Sequence, residues 1–274
     1  MAINGTDRSE TLVGTNGSDT INALGGDDAL FGKAGNDTLK GGDSGDELDG
    51  GADSDILDGG TGNGVDTADY RSFNNGVSVN LLTGKAEDGT GTDTLISIEN
   101  VDSTSFGDTI IGDQVGNFLT SHGGADFISG NGGTDTILAG DGNDTVLGGS
   151  GFDKIDGGLG ADTLTGGSEV DHFIYFSASD SPVGNGGRDT ITDFEKGIDK
   201  INVSLIDANP AVSGNQAFSF IGSATFTGAG QLRYELDGFG NTVVQADVNG
   251  DLTTDFQVVL QGYTRPLSVG DFVL

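Results

Sequence analysis

Hydrophobic positions along two long segments of this chain recur every nine residues, nearly always two places after an acidic residue. Asp19-Thr20-Ile21 and Asp37-Thr38-Leu39 show the pattern, and a polar residue faces away from the aliphatic one in each. Short apolar segments at a fixed period, separated by glycine-rich turns, are typical of a repeat protein whose coils stack on one another. If each nonapeptide makes half of a coil, residues of alternate rows lie one strand spacing apart, about 4.8 Å.

The nonapeptide rows form two blocks that are out of phase with each other. The row-marking residues are Glu10, Asp19, Asp28, Asp37, Asp46 and Asp55 in the first block, and Asp108, Asn117, Asp126, Asp135, Asp144, Asp153, Asp162 and Asp171 in the second. The separation between Asp55 and Asp108 is not a multiple of nine, which predicts an insertion. Its alternating apolar segments, such as Val77–Leu81, indicate strands. After about Ile174 the chain gains Phe and Tyr, which predicts a β-rich terminal domain.

The composition points to cations as partners. The 274 residues include 43 acidic and 11 basic side chains, a net charge of −32, together with 51 Gly and only 34% hydrophobic residues. Such self-repulsion opposes a compact state unless counterions are built into it. Nucleic acid is excluded as a ligand because clustered Lys and Arg are missing. With no Cys, disulfides and Cys-ligated metals are excluded as well.

The best rows follow the pattern Gly-Gly-x-Gly-x-Asp-x-aliphatic, as in Gly148–Ile155 and Gly157–Leu164. Glycines permit tight turns with positive φ and let backbone carbonyls approach a small ion. An all-oxygen shell of carbonyls and carboxylates is what a hard cation such as calcium prefers. Without metal, two stacked carboxylates repel by roughly 3 kcal/mol at an effective dielectric of 20. Calcium binding and folding are therefore expected to be one process.

These nonapeptides resemble the RTX, or hemolysin-type, calcium-binding repeat. The resemblance implies an all-β chain with two parallel β-roll blocks, a β insertion between them and a β-rich C-terminal domain. It also implies several calcium ions, held by each row's aspartate and by carbonyls at the second and fourth turn positions. The aspartates so assigned are Asp19, Asp28, Asp37, Asp46, Asp55, Asp108, Asp126, Asp135, Asp144, Asp153, Asp162 and Asp171. The glycines so assigned are Gly17, Gly26, Gly35, Gly124, Gly133, Gly140, Gly142, Gly149, Gly151, Gly158 and Gly160.

Beyond Asp171 the chain resembles the C-terminal domain of serralysin-type secreted metalloproteases, through the stretch Arg188–Ile201. The family's proteolytic motif H-E-x-x-H is absent, since His122 precedes Gly123 and His172 precedes Phe173. The resemblance implies a type I secretion signal in the last residues, which Asp271–Leu274 fits. The domains are predicted as residues 1–64 (first β-roll), 65–107 (insertion), 108–173 (second β-roll) and 174–274 (C-terminal domain).

We therefore expect a secreted, extracellular calcium-binding protein of a Gram-negative bacterium, without enzymatic activity. The N-terminus lacks a basic and apolar leader, so no cleaved signal peptide is expected, and Met1 lies close enough to the first row to suggest a complete chain. The expected partners are calcium and the type I secretion machinery, and a membrane or polysaccharide partner stays open. The alternatives are an accessory module of a secreted protease or alginate epimerase, and a membrane-active calcium binder of the nodulation type.

A second calcium loop is conceivable at Asp247–Asp251, with Asp255 further on. Its D-x-N-x-D spacing occurs in calcium loops, but the bidentate Glu of an EF-hand is missing. A plain hairpin turn is the favoured interpretation.

Overall fold

The computed structural model describes residues 1–184 and 186–274. They divide into two units, Met1–Gly130 and Asn131–Leu274, each built from short β-strands joined by turns. Within the described residues there is no helix of the length and apolarity needed to cross a membrane.

The first unit contains three- to six-residue strands that alternate between two sheets. Their bounds are Ala2–Asn4 (β1), Thr11–Val13 (β2), Thr20–Gly25 (β3), Ala29–Phe31 (β4), Thr38–Asp43 (β5), Glu47–Asp49 (β6), Ile56–Gly60 (β7), Thr67–Asp69 (β8), Ser78–Asn80 (β9), Lys85–Glu87 (β10), Thr92–Ile96 (β11), Asn100–Asp102 (β12), Thr109–Ile111 (β13), Phe118–Thr120 (β14) and Phe127–Gly132 (β15).

Rows one coil apart pair in parallel register in this unit. Ile21 pairs with Leu39 between β3 and β5, and Leu12 pairs with Leu30 between β2 and β4. One sheet runs β1-β3-β5-β7-β11-β10-β9-β13-β15 and the other β2-β4-β6-β8-β12-β14. Consecutive rows therefore form opposite walls of a flattened coil, as the nonapeptide period predicts.

The inserted segment adds strands to both walls. On one wall β8 and β12 continue the parallel stack, pairing with β6 and β14 respectively. On the other wall β11 pairs with β7 in parallel, but β10 then runs antiparallel to both β11 and β9. The reversal at β10 interrupts the regular succession of parallel rows.

The second unit begins with the same two-walled coil and adds an antiparallel hairpin. Its elements are Thr136–Leu138 (β16), Thr145–Ser150 (β17), Lys154–Asp156 (β18), Thr163–Ser168 (β19), His172–Ile174 (β20), Asp189–Ile191 (β21), Lys200–Asn202 (β22), Ser219–Phe220 (β23), Gln231–Leu236 (β24), Thr242–Asp247 (β25), Phe256–Leu260 (β26), the 3₁₀ turn Val269–Asp271 (η1) and Phe272–Val273 (β27).

In this unit the coil walls run β17-β19-β21 and β16-β18-β20-β22-β27. β26 adds in parallel to β21, and β25 and β24 follow it as antiparallel strands. Tyr175 and Phe256 pack edge to face at 5.0 Å, joining the coil to this hairpin. The C-terminal part is therefore a β domain that extends the same walls.

Each row contributes one aliphatic side chain to a narrow core. Ile21, Leu30, Leu39, Leu48 and Leu57 are completely buried. The equivalent residues of the later rows are also completely buried: Ile110, Leu119, Ile128, Ile137, Val146, Ile155, Leu164 and Phe173. The expected all-β fold class is confirmed, while the domain boundaries stay predictions.

We expect Gly160→Ala to destabilise the calcium-loaded protein by more than about 2 kcal/mol. Gly160 has φ of +148°, and a Cβ there would lie 1.4 Å from the carbonyl oxygen of Gly142 on the preceding coil. Gly228→Ala is the matched control, because Gly228 has no positive φ and no atom within 4 Å of the added Cβ. Urea unfolding at saturating calcium measures the difference, and equal midpoints for the two variants would contradict this packing.

Candidate metal centre

The row aspartates are joined into ladders by their own backbone. The N–H of Asp19 donates to Oδ1 of Asp37 at 2.7 Å, and the N–H of Asp37 donates to Oδ1 of Asp55 at 2.7 Å. In the second unit the N–H of Asp153 donates to Oδ1 of Asp171 at 3.0 Å. Because each bond spans one coil, the carboxylates form a line with one ladder step between neighbours.

The second oxygen of most ladder carboxylates is buried and accepts no hydrogen bond within the described structure. This holds for Oδ2 of Asp28, Asp37, Asp46, Asp55, Asp153, Asp162 and Asp171. All twelve predicted aspartates are at most 4% exposed, including Asp126, Asp135 and Asp144. A buried anionic oxygen without a donor is costly, so a positive ligand is expected beside each one.

Backbone carbonyls at the second and fourth turn positions point along the stack. A Cβ on Gly158 would lie 2.1 Å from the carbonyl oxygen of Gly140, and one on Gly151 would lie 1.6 Å from that of Gly133. Only glycine leaves room for these oxygens between successive turns. A Cβ on Gly160 would lie 1.4 Å from the carbonyl oxygen of Gly142 and 3.3 Å from Oδ1 of Asp162, so neutral carbonyl oxygens lie near the carboxylates.

The predicted glycines mostly have the backbone conformation that such turns need. Positive φ occurs at Gly26, Gly35, Gly124, Gly133, Gly140, Gly149, Gly151, Gly158 and Gly160. Gly17 and Gly142 lie in turns at the fourth position but are not among the glycines with positive φ. Lys33 and His122 at second positions have φ of +87° and +60°, so these rows carry the backbone strain expected for a side chain there. The assignment of individual metal ligands stays a prediction.

Two of the predicted aspartates already use both carboxylate oxygens. Asp108 accepts hydrogen bonds from the hydroxyl of Ser103, the N–H of Thr104 and the N–H of Val77. Asp19 accepts from the N–H and hydroxyl of Thr15, and its other oxygen lies 2.5 Å from the terminal ammonium. Hydroxyl side chains at the first two turn positions thus compete with a cation in these rows.

The ladders include four aspartates that the nine-residue count did not find. Asp66 and Asp93 accept from the N–H groups of Asp46 and Asp55, at 2.8 and 2.9 Å. Asp189 and Asp199 accept hydrogen bonds from the N–H groups of Asp162 and Asp171, at 3.0 and 3.1 Å. A local signal in the sequence could have found two of them. Asp93-Thr94-Leu95 and Asp189-Thr190-Ile191 have the Asp-x-aliphatic ending of a row, although their distance from the preceding row is not nine residues.

Burial disfavours the ionised form of the ladder carboxylates when no metal is bound. It raises the pKa of Asp46 to about 6 and those of Asp55 and Asp171 to about 7, and neighbouring carboxylates add to the effect. A bound cation reverses this balance, because an opposite charge favours the ionised form. A cation beside the ladder would therefore lower these pKa values and favour the ionised carboxylates.

The donor set fits calcium. Among the described residues no three Asp, Glu or His side chains converge as a ligand group, so backbone carbonyls have to complete any site. Carboxylate and carbonyl oxygens without nitrogen or sulfur ligands are typical of calcium rather than zinc or copper. The residues at the ladder steps that would hold the ion are the aspartates and the glycine carbonyls described above.

The Asp247–Asp251 segment is a hairpin turn between β25 and β26. Asp247 accepts from the N–H groups of Gly250 and Leu252, and Asp255 accepts from the N–H of Val248 at 2.8 Å. The carboxylates thus close the turn by hydrogen bonds to the backbone. The hairpin interpretation accounts for this spacing.

Comparison with known families agrees with this site. The model of the RTX calcium-binding nonapeptide repeat matches residues 4–39 and 31–66, so this part of the chain carries RTX calcium-binding repeats. The model of the Peptidase M10 serralysin C-terminal region matches residues 53–274, well over half of the chain. The chain belongs to this serralysin C-terminal family. Domains of this family and RTX repeats are both typical of secreted proteins. No curated protein matches the chain.

Solved structures similar to this chain include two repeat subunits of the Azotobacter vinelandii mannuronan C5-epimerase. AlgE6R3 is 24% identical, with 62% of this chain and 79% of that chain covered and a TM-score of 0.39. AlgE6R2 is 26% identical, with coverages of 62% and 89% and a TM-score of 0.40. The extracellular lipase LipA of Serratia marcescens is 14% identical, with coverages of 100% and 40% and a TM-score of 0.22.

We expect acidification to stabilise the metal-free fold. The folded-state pKa values of Asp46, Asp55 and Asp171 lie above the ordinary 3.8, so the folded chain binds more protons than the unfolded chain between about pH 4 and pH 7. Stability should therefore fall as pH rises through that window. Far-UV circular dichroism in chelator should show more β signal at about pH 5 than at pH 8, and a loss of β signal at pH 5 would contradict the buried state of the ladders.

Proposed function

We propose that this chain is a secreted, non-enzymatic calcium binder that is exported unfolded through a type I system and folds when it meets calcium outside the cell. The single observation that carries the proposal is the series of buried Oδ2 atoms without hydrogen-bond donors. Calcium is the ligand that fits these atoms together with the adjoining glycine carbonyls.

Coupled folding follows from the energetics of the ladders. Burying a row of carboxylates without counterions opposes folding, and one aliphatic side chain per row offers little apolar burial against it. A ligand that binds only the folded state stabilises it by mass action. Low calcium inside the cell would keep the chain export-competent, and higher calcium outside would drive folding.

The absence of enzymatic activity is part of the proposal. The sequence carries no H-E-x-x-H motif, and the carboxylates of the rows serve as ladder members rather than as isolated acid–base pairs. The alternative is an accessory module of a secreted enzyme, which the description of the matching family as a C-terminal region favours. Turnover of protein or uronate polymers by the purified chain would support an enzyme, and we expect none.

Calcium titration of the chelator-treated protein tests the proposal. We expect a cooperative rise in far-UV β signal with several ions bound per chain by calorimetry, and no comparable rise with magnesium, which demands stricter octahedral geometry. A chain that is fully folded in chelator at neutral pH and binds no calcium would refute the proposed function.

Asp153→Asn should remove calcium from the middle of the second-unit ladder. Asp153 is completely buried with an unpartnered Oδ2, and the amide removes the charge at nearly constant size. Asp141→Asn is the matched control, since Asp141 is exposed in a neighbouring turn. We expect fewer bound ions and a higher calcium midpoint of folding for Asp153→Asn alone; identical titrations of the two variants would speak against the ladder as the binding site.

A further inference from the structure

The row Asp88–Leu95 differs from the regular rows at its first position. In rows that begin with glycine, such as those of Gly148 and Gly157, a Cβ would lie 2.6 and 2.4 Å from Oδ2 of the row's own aspartate five residues later. Asp88 occupies this position five residues before Asp93. This turn therefore carries a second carboxylate beside the ladder carboxylate.

Asp88 is completely buried, and only one of its oxygens is used. Oδ1 accepts hydrogen bonds from the N–H groups of Thr90 and Gly91, at 2.6 and 2.8 Å. Oδ2 is buried and accepts no hydrogen bond from the described residues. Closing the turn by hydrogen bonds is thus the role of Oδ1, whereas Oδ2 has no hydrogen-bond donor among the described residues.

The surroundings of this oxygen are acidic. Asp93 is 1% exposed; its Oδ1 accepts from the N–H of Asp55 at 2.9 Å and its Oδ2 from the hydroxyl of Tyr70 at 3.0 Å, which leaves one lone pair on each oxygen for a cation. In regular rows the first turn position lies against the row aspartate, which places Asp88 beside Asp93, and Asp93 is in turn hydrogen-bonded to the backbone of Asp55. No salt bridge to Lys, Arg or His reaches these three residues in the described chain. Buried like charges without a basic partner call for a cation.

The position of Asp93 explains why an extra carboxylate is useful here. Strand β11 is followed in its wall by the antiparallel β10, and the next parallel strand, β9, begins after Val77 where other rows have an acidic residue. Asp93 is thus the last carboxylate before the interruption. In a regular ladder the aspartate of the following row is the second carboxylate of each step. Here that row has no acidic residue, and Asp88, in the turn before Asp93, offers a carboxylate in its place.

The turn that carries Asp88 lies beside an open groove. Gly89, Thr90 and Gly91 line an open groove together with Ser54 and Glu87. The groove exists where β10 separates the turns of the neighbouring parallel rows. The groove therefore borders the turn, while the carboxylates of Asp88 and Asp93 lie buried behind it.

We propose that Asp88 and Asp93 are the paired carboxylate ligands of a further calcium site at the end of this ladder, with backbone carbonyl oxygens completing the shell. We also infer that it is the first site of the unit to fill. One short, hydrogen-bonded turn here supplies two carboxylates where a regular turn supplies one, and calcium affinity rises with ligand charge and rigidity. This inference rests on the calcium-binding function proposed above.

Asp88→Asn in the full chain tests the inference. The amide oxygen can still accept from Thr90 and Gly91, so the turn cap is kept while the charge is lost. Glu87→Gln is the matched control, because Glu87 is an exposed neighbour that loses the same charge. In calorimetric titrations competed with a calcium chelator, we expect the tightest binding step to weaken by about tenfold or more in Asp88→Asn and by less than about twofold in Glu87→Gln.

The outcomes separate this inference from the proposed function. If the unaltered chain binds no calcium, the proposed function fails together with the inference. If it binds calcium and Asp88→Asn keeps the tightest step unchanged, only the inference is overturned. Asp88→Ser, which also keeps a capping oxygen, guards against a folding defect: if both variants stay unfolded at saturating calcium, Asp88 has a structural role and the inference is overturned.

Discussion

The whole structure depends on burying lines of carboxylates one β-ladder step apart. Asp37, Asp46 and Asp55 use one oxygen to accept a backbone N–H of the previous coil and leave the other buried without a donor. An effective desolvation cost of several kcal/mol per buried ion cannot be offset by one aliphatic side chain per row. A cation between two steps would convert this repulsion into attraction, which is why we propose that the ligand takes part in folding.

The glycine turns serve this same requirement from the backbone side. At Gly151 and Gly158 positive φ and the missing Cβ allow the carbonyls of Gly133 and Gly140 to lie between successive turns. The same freedom raises the conformational entropy of the unfolded chain and weakens the metal-free state. The same glycines that make room for calcium thus weaken the metal-free fold, which is the physical basis of the coupled binding and folding proposed above.

The inserted segment shows how the coil tolerates irregular chain lengths. Asp66 and Asp93 re-enter the ladders after detours of different length because hydrogen bonding depends on spatial register and not on the count of residues. Where β10 runs antiparallel to its neighbours, no further row follows Asp93 in the ladder, and the residues around this aspartate differ from those of a regular row. Tyr70 donates a hydrogen bond to Asp93 there, and Asp88 takes the first turn position, where regular rows have glycine.

The sequence by itself determined the repeated part of this protein. The period of nine, the buried aliphatic at Ile21 or Leu164 and the aspartate two places earlier follow from local geometry that each row repeats, so the coil, its walls and the calcium chemistry could be predicted. Tertiary structure alone decided where the rows outside the period belong. Asp66, Asp93, Asp189 and Asp199 join the ladders through pairings between residues distant in sequence, and the burial of Asp88 arises only where β10 interrupts the wall. Such long-range register is set by strand pairing across the insertion, which no local spacing encodes.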